Sequence, residues 1–154
     1  MSRVNLTEAE LLVCRLLGVM RRSAAMNNVT DQKVGKKDTW EMDVDGVVGE
    51  FCAAKRLNVF PDLTIGIRSG GHDLISKTKQ TVDVKSTRVK DGHLLATLDK
   101  ADKSCDIYVL VIVDDFGGDV VGWASKEELL LEENIKKLGH GPGYALPQER
   151  LNKL

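Results

Sequence analysis

The spacing of apolar residues changes along the chain, and each spacing predicts an element. Leu12, Leu16, Val19 and Met20 recur at helical intervals behind a Thr7–Glu10 capping box, which predicts a helix over about 7–27 that stops at Asn27-Asn28. Residues 29–42 are polar around Gly35 and read as a loop. A second helix is predicted from Asp45, a good N-cap, to about Leu57, with Val44, Val47, Val48 and Phe51 as its core stripe. Glu50 lies one turn from Val47 and from Ala54, at the border of that stripe.

Past residue 60 strands take over. They are predicted at 63–68, 72–76, 80–87, 93–97, 107–113 and 120–124, with turns at SGG (69–71) and FGGD (116–119). IYVLVIV (107–113) has no polar alternation and reads as a central strand buried on both faces. Ser125 and Glu128 form a second capping box, predicted to open a helix to about Leu138. GHGPG (139–143) then reads as a helix stop and loop, because it lacks the Lys-Ser/Thr pair and the preceding strand of a phosphate cradle. YALP and a short terminal helix close the chain. Without repeats, low-complexity tracts or a linker, residues 1–154 form one α/β domain with a mixed central sheet.

Composition narrows the function classes. The 154 residues are 42% hydrophobic and 29% charged, ordinary for a globular domain with a real core. No apolar run approaches the roughly 20 residues of a membrane helix. The opening SRVNLTEAE lacks the layout of a secretion signal, so a cytoplasmic location without membrane contact is expected. Cys14, Cys52 and Cys105 lie far apart without a C-x-x-C, and are expected to be buried as small hydrophobes in a reducing compartment. Neither G-x-S-x-G nor H-E-x-x-H occurs, and His93 and His140 have no partner at ligand spacing. Lys and Arg total 22 against 23 Asp and Glu, so no overall basic tract advertises nucleic acid. Basic residues nevertheless cluster at Lys33, Lys36 and Lys37 and again at Lys77, Lys79, Lys85, Arg88 and Lys90.

The second cluster brackets the chemistry. In TVDVKST (81–87), Val82 and Val84 face one way, and the same period sends Asp83 and Lys85 together to the other face. If Lys77, Thr78 and Lys79 form a three-residue turn, Ser76 faces Gln80, Ile75 faces Thr81, Leu74 faces Val82 and Asp73 faces Asp83. Opposed residues hold their Cβ atoms about 4.5–5.5 Å apart, where like charges are destabilising. Two carboxylates so placed call for a proton, a cationic side chain or a metal. Mg²⁺ suits an oxygen pocket of one or two carboxylates and keeps waters for a phosphate. Lys85 would hold the attacking water or meet charge developing on phosphorus, and Glu50 could add a third carboxylate. His72, next to Asp73, alternates to the opposite face and is expected to be structural.

Asp73, then Asp83-Val84-Lys85 ten positions later, with a helical Glu50 upstream, resembles the active-site signature of the PD-(D/E)XK nuclease superfamily. The order of elements from about 43 to 124 is similar to that family's core, preceded by an extra N-terminal helix. GWASKEEL and YALPQERL resemble tails of small bacterial and phage members. The resemblance implies a restriction-endonuclease-like fold, with Asp73 and Asp83 as ligands of Mg²⁺ or Mn²⁺. It also implies that the Val84 carbonyl can bind the metal, that Lys85 is the catalytic lysine and that Glu50 is the helix carboxylate. The chain departs from the family's name at His72, where a proline would stand. Lys33, Lys36, Lys37, Arg68, Lys77, Lys79, Arg88 and Lys90, with Ser86 and Thr87, are then candidates to track a DNA backbone. The expected activity is endo- or exonucleolytic cleavage of DNA, structure-selective or partner-directed, in a chain that could form a homodimer. IRSGGHDLI followed by DVKST is similar to the layout of small archaeal Holliday-junction resolvases, one variant of this reading. The alternative class is a non-catalytic module that docks DNA or a protein.

Overall fold

The computed structural model describes residues 1–26, 39–66 and 70–154. Among the described residues, eight strands and three helices follow in chain order: β1 (Ser2–Asn5), α1 (Glu8–Met26), α2 (Thr39–Leu57), β2 (Leu74–Ile75), β3 (Thr81–Thr87), β4 (Leu94–Thr97), β5 (Ile107–Asp114), β6 (Gly117–Ser125), α3 (Lys126–Leu129), β7 (Ile135–Leu138) and β8 (Gly141–Leu146). The main sheet has the order β1-β6-β5-β3-β2; β3 and β5 run parallel and every other neighbouring pair antiparallel. A smaller sheet, β4-β8-β7, is wholly antiparallel.

The three layers follow from the period of two in β3 and β5. Val82, Val84, Val109, Val111 and Val113 project to one face, where Val47, Val48, Phe51 and Cys52 of α2 cover them. Burying each such side chain contributes about 1.5–3 kcal/mol. Tyr108 and Leu110 project to the other face and pack with Leu94, Ala96, Tyr144 and Leu146 of the small sheet. The buried run in β5 is therefore enclosed on both sides, as its sequence predicts. Both capping boxes form: Thr7 N–H donates to Glu10 at 2.7 Å and Glu10 N–H to Thr7 at 3.2 Å, and Ser125 and Glu128 exchange the same pair. The three cysteines are buried free thiols, and burial pushes Cys14 and Cys52 up to about 12.

Several boundaries differ from the sequence reading. The N-terminal SRVN forms an edge strand on β6, and Gly117 opposite it has φ +147°, where a Cβ would lie 2.2 Å from the Val4 carbonyl oxygen. That position requires glycine. Helix α2 begins at Thr39, six residues ahead of Asp45, which becomes an interior residue holding Arg88. Residues 63–66 form no strand: Arg21 binds the Asp62 and Thr64 carbonyls, and the Asp62 carboxylate takes the Thr64 N–H at 2.9 Å. The expected helix to Leu138 ends at Leu129, because the buried Asn134 amide donates to the Glu128 and Leu129 carbonyls and closes the helix. GHGPG is accordingly the turn and opening of the β7–β8 hairpin, and the expected terminal helix is a single 3₁₀ turn.

Helix α1 also departs from the common rule that the apolar stripe of a surface helix faces the core. Its buried residues are Cys14, Leu17 and Gly18, and Gly18 lets the Val44 backbone approach to where a Cβ would be 3.0 Å away. The stripe that gives α1 its sequence period lies on the outside. Among the described residues, no helix is long and apolar enough to cross a membrane.

Candidate active site

The β2–β3 hairpin turns where Lys77, Thr78 and Lys79 stand. Ser76 N–H donates to the Gln80 carbonyl at 2.9 Å, and the Ser76 hydroxyl accepts the Gln80 N–H at 3.1 Å. Lys79 takes the left-handed conformation, φ 67°, that closes the turn. The resulting register pairs Ile75 with Thr81 and Leu74 with Val82, as the three-residue turn predicts. At the next position the ladder slips: Asp73 N–H donates to the Val82 carbonyl at 2.8 Å. The Asp73 side chain then accepts the Val84 N–H at 2.7 Å, so it rests on the backbone immediately beyond Asp83 rather than squarely against that carboxylate.

Asp83 is only 3% exposed. Its two oxygens meet two ammonium groups, Lys85 at 2.6 Å and Lys100 at 3.0 Å. Asp83 and Lys85 thus share the face that the alternation assigns them. Lys100, from the 3₁₀ turn Leu98–Ala101 after β4, is the member of this cluster that the sequence reading missed. Burial lowers its pKa, but the hydrogen bond and charge of Asp83 outweigh this and hold it above 10.5.

The cluster closes over Tyr108, which neighbours Asp83 in the β3–β5 register and whose hydroxyl accepts the Cys105 N–H at 3.1 Å. Burial raises the Cys105 thiol; Asp83 and then Asp73 push the same way, while Lys100 and Lys85 oppose them. All four charges therefore act on one buried point. Two carboxylates and two ammonium groups make the site neutral before any ligand arrives.

Glu50 reaches the sheet from helix α2. It is 6% exposed, more deeply buried than the border position its spacing predicts, and accepts a 2.9 Å hydrogen bond from Arg21 of α1. Helix α2 covers the Val82–Val84 face of β3, whereas Asp83 projects from the other.

The proposed backbone-tracking residues divide into three groups. Lys77 and Lys79 are exposed on the hairpin turn and Lys90 is exposed beyond the far end of β3, a strand about 23 Å long. Arg88 is tied to Asp45 and Asp115 at 2.7–2.9 Å, and its pKa is raised first by the hydrogen bond to Asp45. Thr87 caps the Val89 N–H at 3.1 Å. Ser86 points inward, with its buried hydroxyl against Gly49 and without a hydrogen-bond partner among the described residues. That orientation corrects its assignment to phosphate contact. Lys33, Lys36, Lys37 and Arg68 lie outside the described residues.

The donor chemistry suits a hard divalent ion only in part. Asp73, Asp83 and the Val84 carbonyl offer oxygen ligands from adjoining positions of one hairpin, within the one or two carboxylates that Mg²⁺ takes. Among the described residues, however, no three His, Cys, Asp or Glu side chains gather closely enough to hold a metal. Comparison of the chain with protein-family models, characterised proteins and solved structures yields no match.

Proposed function

We propose that the protein is a divalent-metal-dependent nuclease of the PD-(D/E)XK type that hydrolyses phosphodiester bonds in DNA. One observation carries the reading: the β2–β3 hairpin gathers Asp73, Asp83 and Lys85 around the Val84 peptide. In this reading Asp73, Asp83 and the Val84 carbonyl would hold Mg²⁺ or Mn²⁺, which would polarise a phosphoryl oxygen and acidify water. Lys85, with a side chain 32% exposed against 18% for Lys100 and 4% for Asp83, reaches solvent. Its ammonium orients the attacking water and offsets charge building on the phosphoryl oxygens. Lys100 fixes the Asp83 carboxylate from the protein side. Glu50 is left out of the ligand set because it is engaged with Arg21 on the α2 side. Lys77, Lys79 and Lys90 would steer the DNA backbone, with affinity falling steeply as salt rises.

The restriction-endonuclease-like fold, a cytoplasmic location and structure-selective or partner-directed cutting belong to the same proposal. So does the resolvase variant, which a branched substrate separates from the rest. Incubation of the purified chain with Mn²⁺ and linear, circular, single-stranded or four-way-junction DNA tests it. Metal-dependent cleavage of at least one substrate is expected, and no cleavage of any overturns the enzymatic reading. The double neutralisation of Asp83 by Lys85 and Lys100 favours one second reading, a DNA-docking module whose carboxylates are structural. Salt-sensitive DNA binding without Mn²⁺ uptake would select it.

A further inference from the structure

The small sheet packs on the face of the main sheet that carries the candidate site. Asp83 and Lys85 stand in register with Tyr108 and Leu110, which bury against Leu94, Ala96, Tyr144 and Leu146. Chain direction then fixes which end of the small sheet lies beside Asp83. Strand β4 runs into the 3₁₀ turn Leu98–Ala101, whose Lys100 reaches Asp83 at 3.0 Å. Strand β8 is antiparallel to β4 and β7 antiparallel to β8, so the β7–β8 turn emerges at that same end. Thr97, Gly143 and Lys136 are level across the three strands, which puts the Lys136 backbone about 10 Å from Thr97. Lys137 alternates with Lys136 and projects from the side of the sheet that Tyr144 buries.

Strand β7 adds little to the core: Ile135 is 36% exposed, Lys136 and Lys137 are exposed, and Leu138 is half-buried. Neither lysine forms an ion pair among the described residues. The acidic groups of this segment, Glu132 and Glu133, precede β7 at its other end, and Glu133 is held by Arg150 at 3.2 Å. The turn itself is Gly139-His140. Among the described residues a Cβ at Gly139 would meet nothing within 4 Å, and its φ lies outside the left-handed region. Neither packing nor backbone therefore demands glycine there, and its effect is to leave bare peptide open to close approach.

We infer that the β7–β8 hairpin is an arm that binds the phosphate backbone of DNA beside the candidate site, with Lys136 and Lys137 as its phosphate partners. The inference rests on the nuclease reading for the identity of the polyanion. Two unpaired ammonium groups on an exposed strand, next to a turn without side-chain bulk, suit a strand of closely spaced phosphates. The arm and the Lys100 turn share one end of the small sheet, so DNA held there runs past Lys85 within one duplex turn of about 34 Å. Lysines on an edge strand also deter pairing between copies of a chain, a role that needs no DNA contact.

Fluorescence anisotropy of a labelled DNA duplex, titrated with the full chain in EDTA between about 50 and 200 mM salt, tests the arm apart from catalysis. Wild type should bind with a steep salt dependence. The double variant Lys136→Ala/Lys137→Ala should bind at least about tenfold more weakly at the low-salt end, with a slope of log K against log salt shallower by about two. Lys136→Arg/Lys137→Arg keeps both charges and should restore affinity and slope. Gly139→Gln should melt with wild type and bind more weakly, since its side chain extends outside the fold. A slope unchanged by the alanine pair, or a weakening that the arginine pair does not reverse, would overturn the inference. So would an alanine pair that aggregates at unchanged DNA affinity, which assigns the lysines to edge protection. A wild type that binds no DNA overturns the arm and the nuclease reading together. Arm-dependent binding without Mn²⁺-dependent cleavage supports the arm and removes the enzyme.

Discussion

Replacing Lys100 with Met keeps most of the side-chain stem and deletes the ammonium that faces Asp83 at 3.0 Å. The Asp83 side chain is 4% exposed, so water cannot substitute for the lost donor. Orphaning a buried charge completely costs about 3–5 kcal/mol. Here Lys85 remains at 2.6 Å, which reduces the loss to the value of one charged hydrogen bond, about 2 kcal/mol. For a domain of this size that lowers Tm by about 4–8 °C. The pH dependence fixes the cause. Lys100 has its folded pKa above 10.5, so its contribution is complete below the unfolded value and is lost as pH rises through the folded one. Thermal melts of both proteins should therefore start apart at pH 7 and draw together as alkaline pH deprotonates Lys100. A variant as stable as wild type at pH 7, or a gap that does not narrow once Lys100 has lost its proton, would refute the ion-pair reasoning. If Asp83 also binds metal, removing a competing ammonium should tighten Mn²⁺ binding in the same variant.

Gly49→Ala should destabilise by about 1–3 kcal/mol, since its Cβ would fall 1.9 Å from the Ser86 hydroxyl, and adding Ser86→Ala should recover part of that loss. Ser86→Ala alone removes a buried, unsatisfied hydroxyl, so urea unfolding should show unchanged or slightly higher stability and filter binding an unchanged DNA affinity. Glu50→Gln weakens the buried pair with Arg21 and should cost about 1–3 kcal/mol by urea unfolding. Its cleavage rate, measured well below Tm, should match wild type; a rate loss with stability intact would return Glu50 to the catalytic set.

The hairpin was legible because its determinants are local. Turn residues set the register of Leu74 with Val82, and a period of two put Asp83 and Lys85 on one face. The slip at Asp73 was not legible, because it depends on which backbone donor the carboxylate captures, here the Val84 N–H. Lys100 was hidden for another reason: DKADK reads as a solvated run, and only the packing of β4 against the main sheet brings its second residue, 17 positions after Asp83, onto that carboxylate. LLLEENIKKL has a helical period that the Asn134 side chain interrupts by taking the Glu128 and Leu129 carbonyls. The four residues of β1 are too few for a pattern to stand out. They become a strand because β6 offers them an edge.

The assignment of catalysis to the hairpin stands or falls on nicking of supercoiled plasmid by wild type and Lys85→Ala, each at a Mn²⁺ concentration that calorimetry shows to be saturating. Lys85→Ala leaves Asp73 and Asp83 in place, and Asp83 keeps Lys100, so metal binding and fold should survive. Wild type should nick the plasmid only when metal is present, and the variant should be slower by about a hundredfold or more. A wild type that does not nick, or a Lys85→Ala protein that nicks as fast, would contradict it.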